Sequence, residues 1–283
     1  MIKKKYLISA ISLGAICLAY NSLVFNERPG FEAVNIALRE PSKDDNQSAA
    51  GLDESRLQGI LHQSYTYLAH GKQAFAFESA DGRYVLKFIK TQRVRPKKWF
   101  CYWQNWFKYA TPQPIIKHFL RQHELQELYS RFRVACRDLH QETQILYVHT
   151  RPTSGLSFCN VVDRKGADHQ IDLDHSAFVL QRKVMLVPQY IDSLLSSGDI
   201  EGAKDAVLAL KMLLVERTVK GFTDEKQVFS QNYGFSGNIP IQLDIGKIRR
   251  LVSGEEQKEL ARICINLKNW VSEHYPVLSD SLN

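Results

Sequence analysis

Asn232 and Asp244 stand at the two ends of the stretch "NYGFSGNIPIQLDIG". An amide oxygen and a carboxylate brought together at one end of a hairpin make a hard-oxygen site suited to Mg²⁺. A turn-capping Asn and a strand-end Asp would give the same residues without a metal. Lys87, in "YVLKFIK", lies between Val85 and Ile89 on its own strand face. A lysine in that setting either snorkels at a strand edge or meets a partner, because an unpaired buried ammonium is costly. Glu124 falls four residues from both Leu120 and Leu128 on a helical pattern, so it is expected to turn with the apolar stripe. It would suit Lys87, as would Glu127 one turn away. Asp224, in "GFTDEKQVFSQN", is a loop acid upstream of Asn232, placed either to orient a hydroxyl nucleophile or to face solvent.

The elements that must position these groups are readable in outline. "SYTYLAHGKQAFAFESADGRYVLKFIK" reads as three strands, with Asp81-Gly82 as a tight hairpin turn. A helix is expected over 115–140, with Leu120, Leu128, Phe132 and Leu139 at helical spacing. "TQILYVHT", "LSFCNVVD", "HQIDLD" and "AFVLQRKVMLV" read as strands. From Pro188 the pattern turns helical, broken only by the hairpin at 232–246. Ser253 and Glu256 form a capping-box signature for a last helix. The expected organisation is a β-rich lobe over 63–183 and a small, mainly helical lobe over 184–283, an α+β fold of two unequal lobes.

The 283 residues hold a sizeable core, and the composition is that of an ordinary globular protein. Net charge is +7, with Lys3, Lys4 and Lys5 among the basic residues. This mild excess suits an anionic ligand or a membrane surface, and no nucleic acid is expected. Residues 1–25 read as a signal peptide or a single membrane anchor, since the apolar run after the lysines would span about 30 Å as a helix. The lysines favour an inside N-terminus, hence a membrane-anchored or exported protein with its domain on the non-cytoplasmic side. Residues 26–62 read as a polar linker. Cys101, Cys136, Cys159 and Cys264 lack metal-ligand spacing, and Cys136 and Cys264, which sit in helical patterns, are expected to be buried thiols. The inserted segment 91–111 places Trp99, Tyr102, Trp103 and Trp106 on one helical face among basic residues. That face suits either a membrane interface, over residues 93–108, or packing against the β-rich lobe.

Taken in order, these pieces resemble the protein-kinase-like superfamily, in an atypical, bacterial-type form covering residues 64–275. The order is a turn-bearing hairpin, a strand lysine, a helix glutamate, a long helix, a loop acid, an Asn and a strand-end Asp-x-Gly. Lys87 matches the strand lysine, Asn232 the metal-binding Asn, and Asp244-Ile245-Gly246 stands where the family has Asp-Phe-Gly. The pattern departs elsewhere. Of the Gly-rich loop only Gly71 is present, with Ala69 and Ala74 at the flanking positions, and there is no His-Arg-Asp triplet. Asp224 precedes Asn232 by eight residues, against five in the family pattern.

The resemblance implies an ATP- and Mg²⁺-binding phosphotransferase. Lys87, held by Glu124, would bind nucleotide phosphates under the loop at Gly71. Asn232 and Asp244 would hold Mg²⁺, "FVLQRK" would offer hinge groups to adenine, and Asp224 would orient the acceptor hydroxyl. A catalytically inactive pseudokinase and a membrane-associated interaction module are the alternatives.

Overall fold

Alternating aromatic residues build the sheet. In strands β2 (Tyr65–His70), β3 (Ala74–Ser79) and β4 (Tyr84–Ile89), Tyr65, Phe75, Phe77 and Phe88 are buried. Phe77 meets Phe88 edge-on at 5.7 Å, and Phe88 meets Phe178 at 6.3 Å. The computed structural model describes residues 31, 33–38, 40–91 and 113–282. The leader at 1–25, and all of the basic-aromatic insert except Thr91, lie outside the described residues. Among the described residues, no helix is long and apolar enough to cross a membrane.

Before the meander come β1 (Gln47–Ser48) and α1 (Glu54–Leu61); after it comes α2 (Gln113–Asp138). Then follow α3 (His140–Thr143), β5 (Ile145–His149), β6 (Phe158–Val162), β7 (Asp168–Asp172), β8 (Phe178–Arg182) and β9 (Met185–Leu186). Eight of these strands form one mixed sheet in the order β1-β5-β8-β4-β3-β2-β6-β7. Strand β4 runs antiparallel to both β3 and β8, so Lys87 sits inside the sheet, opposite Ala76 and Val179. The remainder is α4 (Val187–Ser196), α5 (Ile200–Val219), β10 (Phe222–Asp224), α6 (Phe229–Asn232), β11 (Tyr233–Ser236), β12 (Ile239–Gln242), β13 (Ile248–Arg250) and α7 (Glu256–His274). The architecture is mixed α+β.

Two hydrophobic clusters among the described residues tie the helices to the sheet and to one another. One gathers Leu128, Tyr129, Phe132 and Ala135 of α2, with Leu139 just past its end, against the sheet, together with Phe222, Ile245 and Ile248. The other joins α4, α5 and α7 through Val187, Val207, Leu214, Ile263 and Leu267. Ala33–Asn283 is nonetheless one compact unit.

Two expectations are corrected here. The stretch read as a polar linker, 26–62, is folded over much of its length. Strand β1 adds to β5 at the sheet edge, Asn46 Oδ1 accepts from the Thr150 and Arg151 amides at 2.7 and 2.8 Å, and Leu57, Ile60 and Leu61 are buried. Its polar composition concealed this because main-chain hydrogen bonds do much of the fastening. The Ser253 capping box is also not formed: α7 begins at Glu256 after Glu255, with no side-chain cap.

Strand β11 shows one close approach. A Cβ on Gly234 would overlap the Val184 side chain and stand 2.5 Å from the Met185 carbonyl on β9. Gly234→Ala is therefore expected to cost about 1–3 kcal/mol through forced separation of the strands, checked by urea denaturation. An unchanged midpoint would show that β9 yields freely.

Candidate functional site

The hairpin β11–β12 has a two-residue loop at Gly237-Asn238, which sets Ser236 against Ile239 and Tyr233 against Gln242. The next rung joins the Leu243 amide to the Asn232 carbonyl at 2.7 Å. Asp244 therefore lies one residue past the position facing Asn232, rather than opposite it. The two side chains still emerge at one end of the hairpin. The Asn232 amide nitrogen donates to the Lys226 carbonyl at 3.2 Å. Asp244 is exposed, and its Oδ1 accepts from the Gly246 amide at 2.8 Å, which closes a local turn. Among the described residues, Asn232 Oδ1 and Asp244 Oδ2 accept no hydrogen bond.

Lys87 reaches this turn from the sheet. Its Nζ donates to the Leu243 carbonyl at 2.9 Å, across 156 residues of sequence. Loss of solvent pushes its pKa down from 10.5 to about 8, and the nearby Asp244 carboxylate opposes the change. The small or short neighbours Ala76 and Val179 leave the lysine stem a path out of the sheet plane.

Glu124 does not pair with Lys87. It is exposed and has no hydrogen bond or ion pair among the described residues. The buried stripe of α2 runs through Leu125, Leu128, Tyr129, Phe132, Ala135 and Cys136, which leaves Glu124 off its edge. Glu127 pairs with Arg131 at 3.2 Å. Arg131, unmarked in the sequence reading, donates through Nη1 to the Gly246 carbonyl at 2.8 Å. So α2 is tied to Asp244-Ile245-Gly246 by an arginine, not through the strand lysine.

Gly71 lies in the β2–β3 turn, where its amide donates to the Ala74 carbonyl at 2.9 Å and its carbonyl accepts from Lys90 Nζ at 2.6 Å. A Cβ would meet nothing within 4 Å there, so sterics do not demand a glycine. Gly246 is different: a Cβ on it would stand 2.5 Å from Gln73 Oε1. The tip of the β2–β3 hairpin thus lies directly against the Asp-x-Gly turn.

Asp224 is sealed, with 1% of its surface exposed. Its Oδ1 accepts from the Lys226 amide at 3.0 Å, and its Oδ2 from Gln242 Nε2 at 2.9 Å and the Tyr233 hydroxyl at 3.4 Å. Burial raises its pKa, and hydrogen bonds together with the Arg217 charge act against the rise. Arg217 has no exposed surface and donates through Nη1 to Tyr233 Oη at 3.0 Å and Gln242 Oε1 at 2.9 Å. The expected hydroxyl-orienting role for Asp224 does not fit this placement, because an acceptor has no path to its carboxylate.

The sequence held a signal for Arg217. It continues the spacing of Ala203, Val207, Leu210 and Leu214, the buried stripe of α5. Gln242 gave none, since alternation along β12 groups it with Asp244 on the polar side.

The donor chemistry fits Mg²⁺ in part. Asn232 and Asp244 offer two hard oxygens, and among the described residues no cluster of three or more His, Cys, Asp or Glu adds to them. Two protein ligands suffice for Mg²⁺ where phosphates and water complete the coordination. Cys136 is buried and free as expected, Cys264 is free but only partly buried, and Cys159 is buried and free; burial pushes the Cys136 and Cys159 thiols up to about 12.

No family model and no curated protein matches the chain. Among solved structures it is similar to the Rv3197–erythromycin complex from Mycobacterium tuberculosis, at 12% identity and TM-score 0.36, over 97% of this chain and 67% of that one. It is also similar to the bifunctional kinase-methyltransferase WbdD, at 14% identity and TM-score 0.31, over 84% of this chain and 45% of that one. Both likenesses are too weak to carry an argument about activity.

Proposed function

We propose that this chain is an atypical kinase-like protein that binds Mg-ATP between the sheet and the β11–β12 hairpin. The observation that carries the reading is the meeting of Lys87 with the turn at Leu243–Gly246, bringing an ammonium beside a strand-end carboxylate. Lys87 would neutralise nucleotide phosphates, exchanging the Leu243 carbonyl for a phosphate oxygen. Asn232 Oδ1 and Asp244 Oδ2 would ligate the ion. Bound Mg-ATP would supply a phosphoryl group whose developing charge the same cations stabilise. Gln73, at the tip of the β2–β3 turn against Gly246, would cover the phosphates.

The test is thermal melting of the full chain with and without Mg-ATP. Ligand at 100 times its dissociation constant adds about 2.7 kcal/mol, a rise of several degrees. The rise is expected to vanish in Asp244→Ala. An unmoved wild-type midpoint at millimolar Mg-ATP sinks the reading.

The burial of Asp224 favours a second reading, in which the nucleotide is held but no phosphate moves. A base must reach the acceptor hydroxyl, and the sealed Asp224 does not. A melting shift with no ADP formed and no labelled acceptor would select this reading; turnover would select the first.

A further inference from the structure

We propose that Gln242 is a positioning residue for Asp244, its carboxamide locked by Arg217 and Asp224 so that it fixes the Asp244 main chain. The consequence for metal binding rests on the Mg-nucleotide reading above; the positioning itself does not.

Gln242 has no exposed surface, so water cannot substitute for its partners. Its Oε1 accepts from Arg217 Nη1 at 2.9 Å. Its Nε2 donates to Asp224 Oδ2 at 2.9 Å and to the Asp244 carbonyl at 3.1 Å. Both amide protons and the amide oxygen are therefore used. Only one orientation works: a guanidinium has donors alone, and the Asp244 carbonyl accepts alone. A flipped amide would face donor with donor and oxygen with oxygen. The other end of the residue is held as well, because the Gln242 carbonyl accepts from Gln181 Nε2 of β8 at 3.2 Å.

The result is a turn gripped by three side chains from three elements. Lys87 of β4 holds the Leu243 carbonyl, Gln242 of β12 holds that of Asp244, and Arg131 of α2 holds that of Gly246. Rotating the Asp244 peptide would break the Gln242 bond and carry its carboxylate away from the Gly246 amide. Asp224 thus gains a role that its burial allows: it orients Gln242, and through it Asp244.

The experiment exchanges the pair. Gln242→Glu alone sets two carboxylates together. Gln242→Glu with Asp224→Asn keeps the net charge and restores an acceptor for Arg217 and an amide donor between positions 224 and 242. It replaces the donor to the Asp244 carbonyl by a carboxylate oxygen, and it also takes the Oδ2 acceptor from the Tyr233 hydroxyl, a loss on the far side of the pair from Asp244. Two quantities are read in the full chain: amide exchange at Gly246 without nucleotide, and the Mg²⁺ concentration giving half the ATP-dependent melting shift.

The double variant is expected to recover most of the melting temperature that Gln242→Glu loses. Its Gly246 amide should exchange about tenfold faster than wild type, the loss expected of one hydrogen bond. The Leu243 amide should keep its protection, and the Mg²⁺ requirement should rise several-fold. Wild-type exchange at Gly246 in the folded double variant overturns the proposal, because the donor to the Asp244 carbonyl is then gone without effect on the turn. If the double variant does not fold, Gln242→Met is read in the same way. Absence of any ATP shift in wild type defeats the nucleotide reading alone, and the exchange measurement still decides the positioning.

Discussion

Lys87→Met is expected to raise the melting temperature of the ligand-free protein at pH 7 and to abolish its response to Mg-ATP. Burial lowers the Lys87 pKa from 10.5 to about 8, so the folded state holds this proton less tightly than the unfolded chain does. Below about pH 8 the ammonium is charged in both states, and its desolvation cost stands in full, on the order of 3 kcal/mol at most. Methionine fills similar space without the charge. It also gives up the hydrogen bond to the Leu243 carbonyl, worth about 1 kcal/mol. A net gain of about 1–2 kcal/mol remains, a rise of a few degrees.

The sign is fixed by proton binding. Between about pH 8 and 10.5 the unfolded chain binds more protons at this position than the folded one, so wild-type stability rises with pH across that window. The advantage of Lys87→Met is accordingly expected to narrow from pH 8 towards 10, as followed by chemical denaturation in that range. A variant that melts lower than wild type at pH 7 would mean that the ammonium stabilises the sheet–hairpin contact instead of straining it. A variant that keeps its Mg-ATP shift would remove Lys87 from the site. Higher stability with lost binding is the exchange expected where a functional group is held in an unfavourable environment.

What could be read from the sequence divides along a physical line. Lys87 and the hairpin were legible because both are marked by local patterns: an interrupted apolar strand, and a Gly-Asn turn between two short alternating runs. The sheet edge at β1 was not, since two residues joined by main-chain bonds leave no compositional trace. Glu124 failed for a finer reason. Three leucines and a phenylalanine define a helical face only to within about one position, and the buried stripe centres on Leu128 and Phe132 with Leu125, not Glu124, as its earlier member. Asp224 and Gln242 failed because their roles exist only between elements. Asp224 reads as a loop acid and Gln242 as a polar strand position, and both are buried by α5, which brings Arg217 to them.

That cluster carries the largest stability effect expected here. Arg217→Met should destabilise the protein by about 3 kcal/mol at neutral pH, because it leaves the Asp224 carboxylate buried without its countercharge. The figure sits at the lower end of what breaking a buried pair costs, since among the described residues Nε and Nη2 of Arg217 have no acceptor to lose. The deficit should depend on pH. Burial raises the Asp224 pKa and the Arg217 charge lowers it, so removing the charge raises it further. A carboxyl with a raised pKa binds its proton more tightly in the folded state than in the unfolded chain. Its stability contribution is then full at low pH and is lost as pH rises from the usual carboxylate range through the folded value. The gap between Arg217→Met and wild type is therefore expected to shrink on acidification from pH 7.5 towards 5. Adding Asp224→Asn to Arg217→Met removes the unpaired charge and should recover about 1–2 kcal/mol at pH 7.5 while flattening the pH dependence. A deficit that stays constant with pH, or persists in the double variant, would place the damage in lost packing around Tyr233 and not in the electrostatics of Asp224.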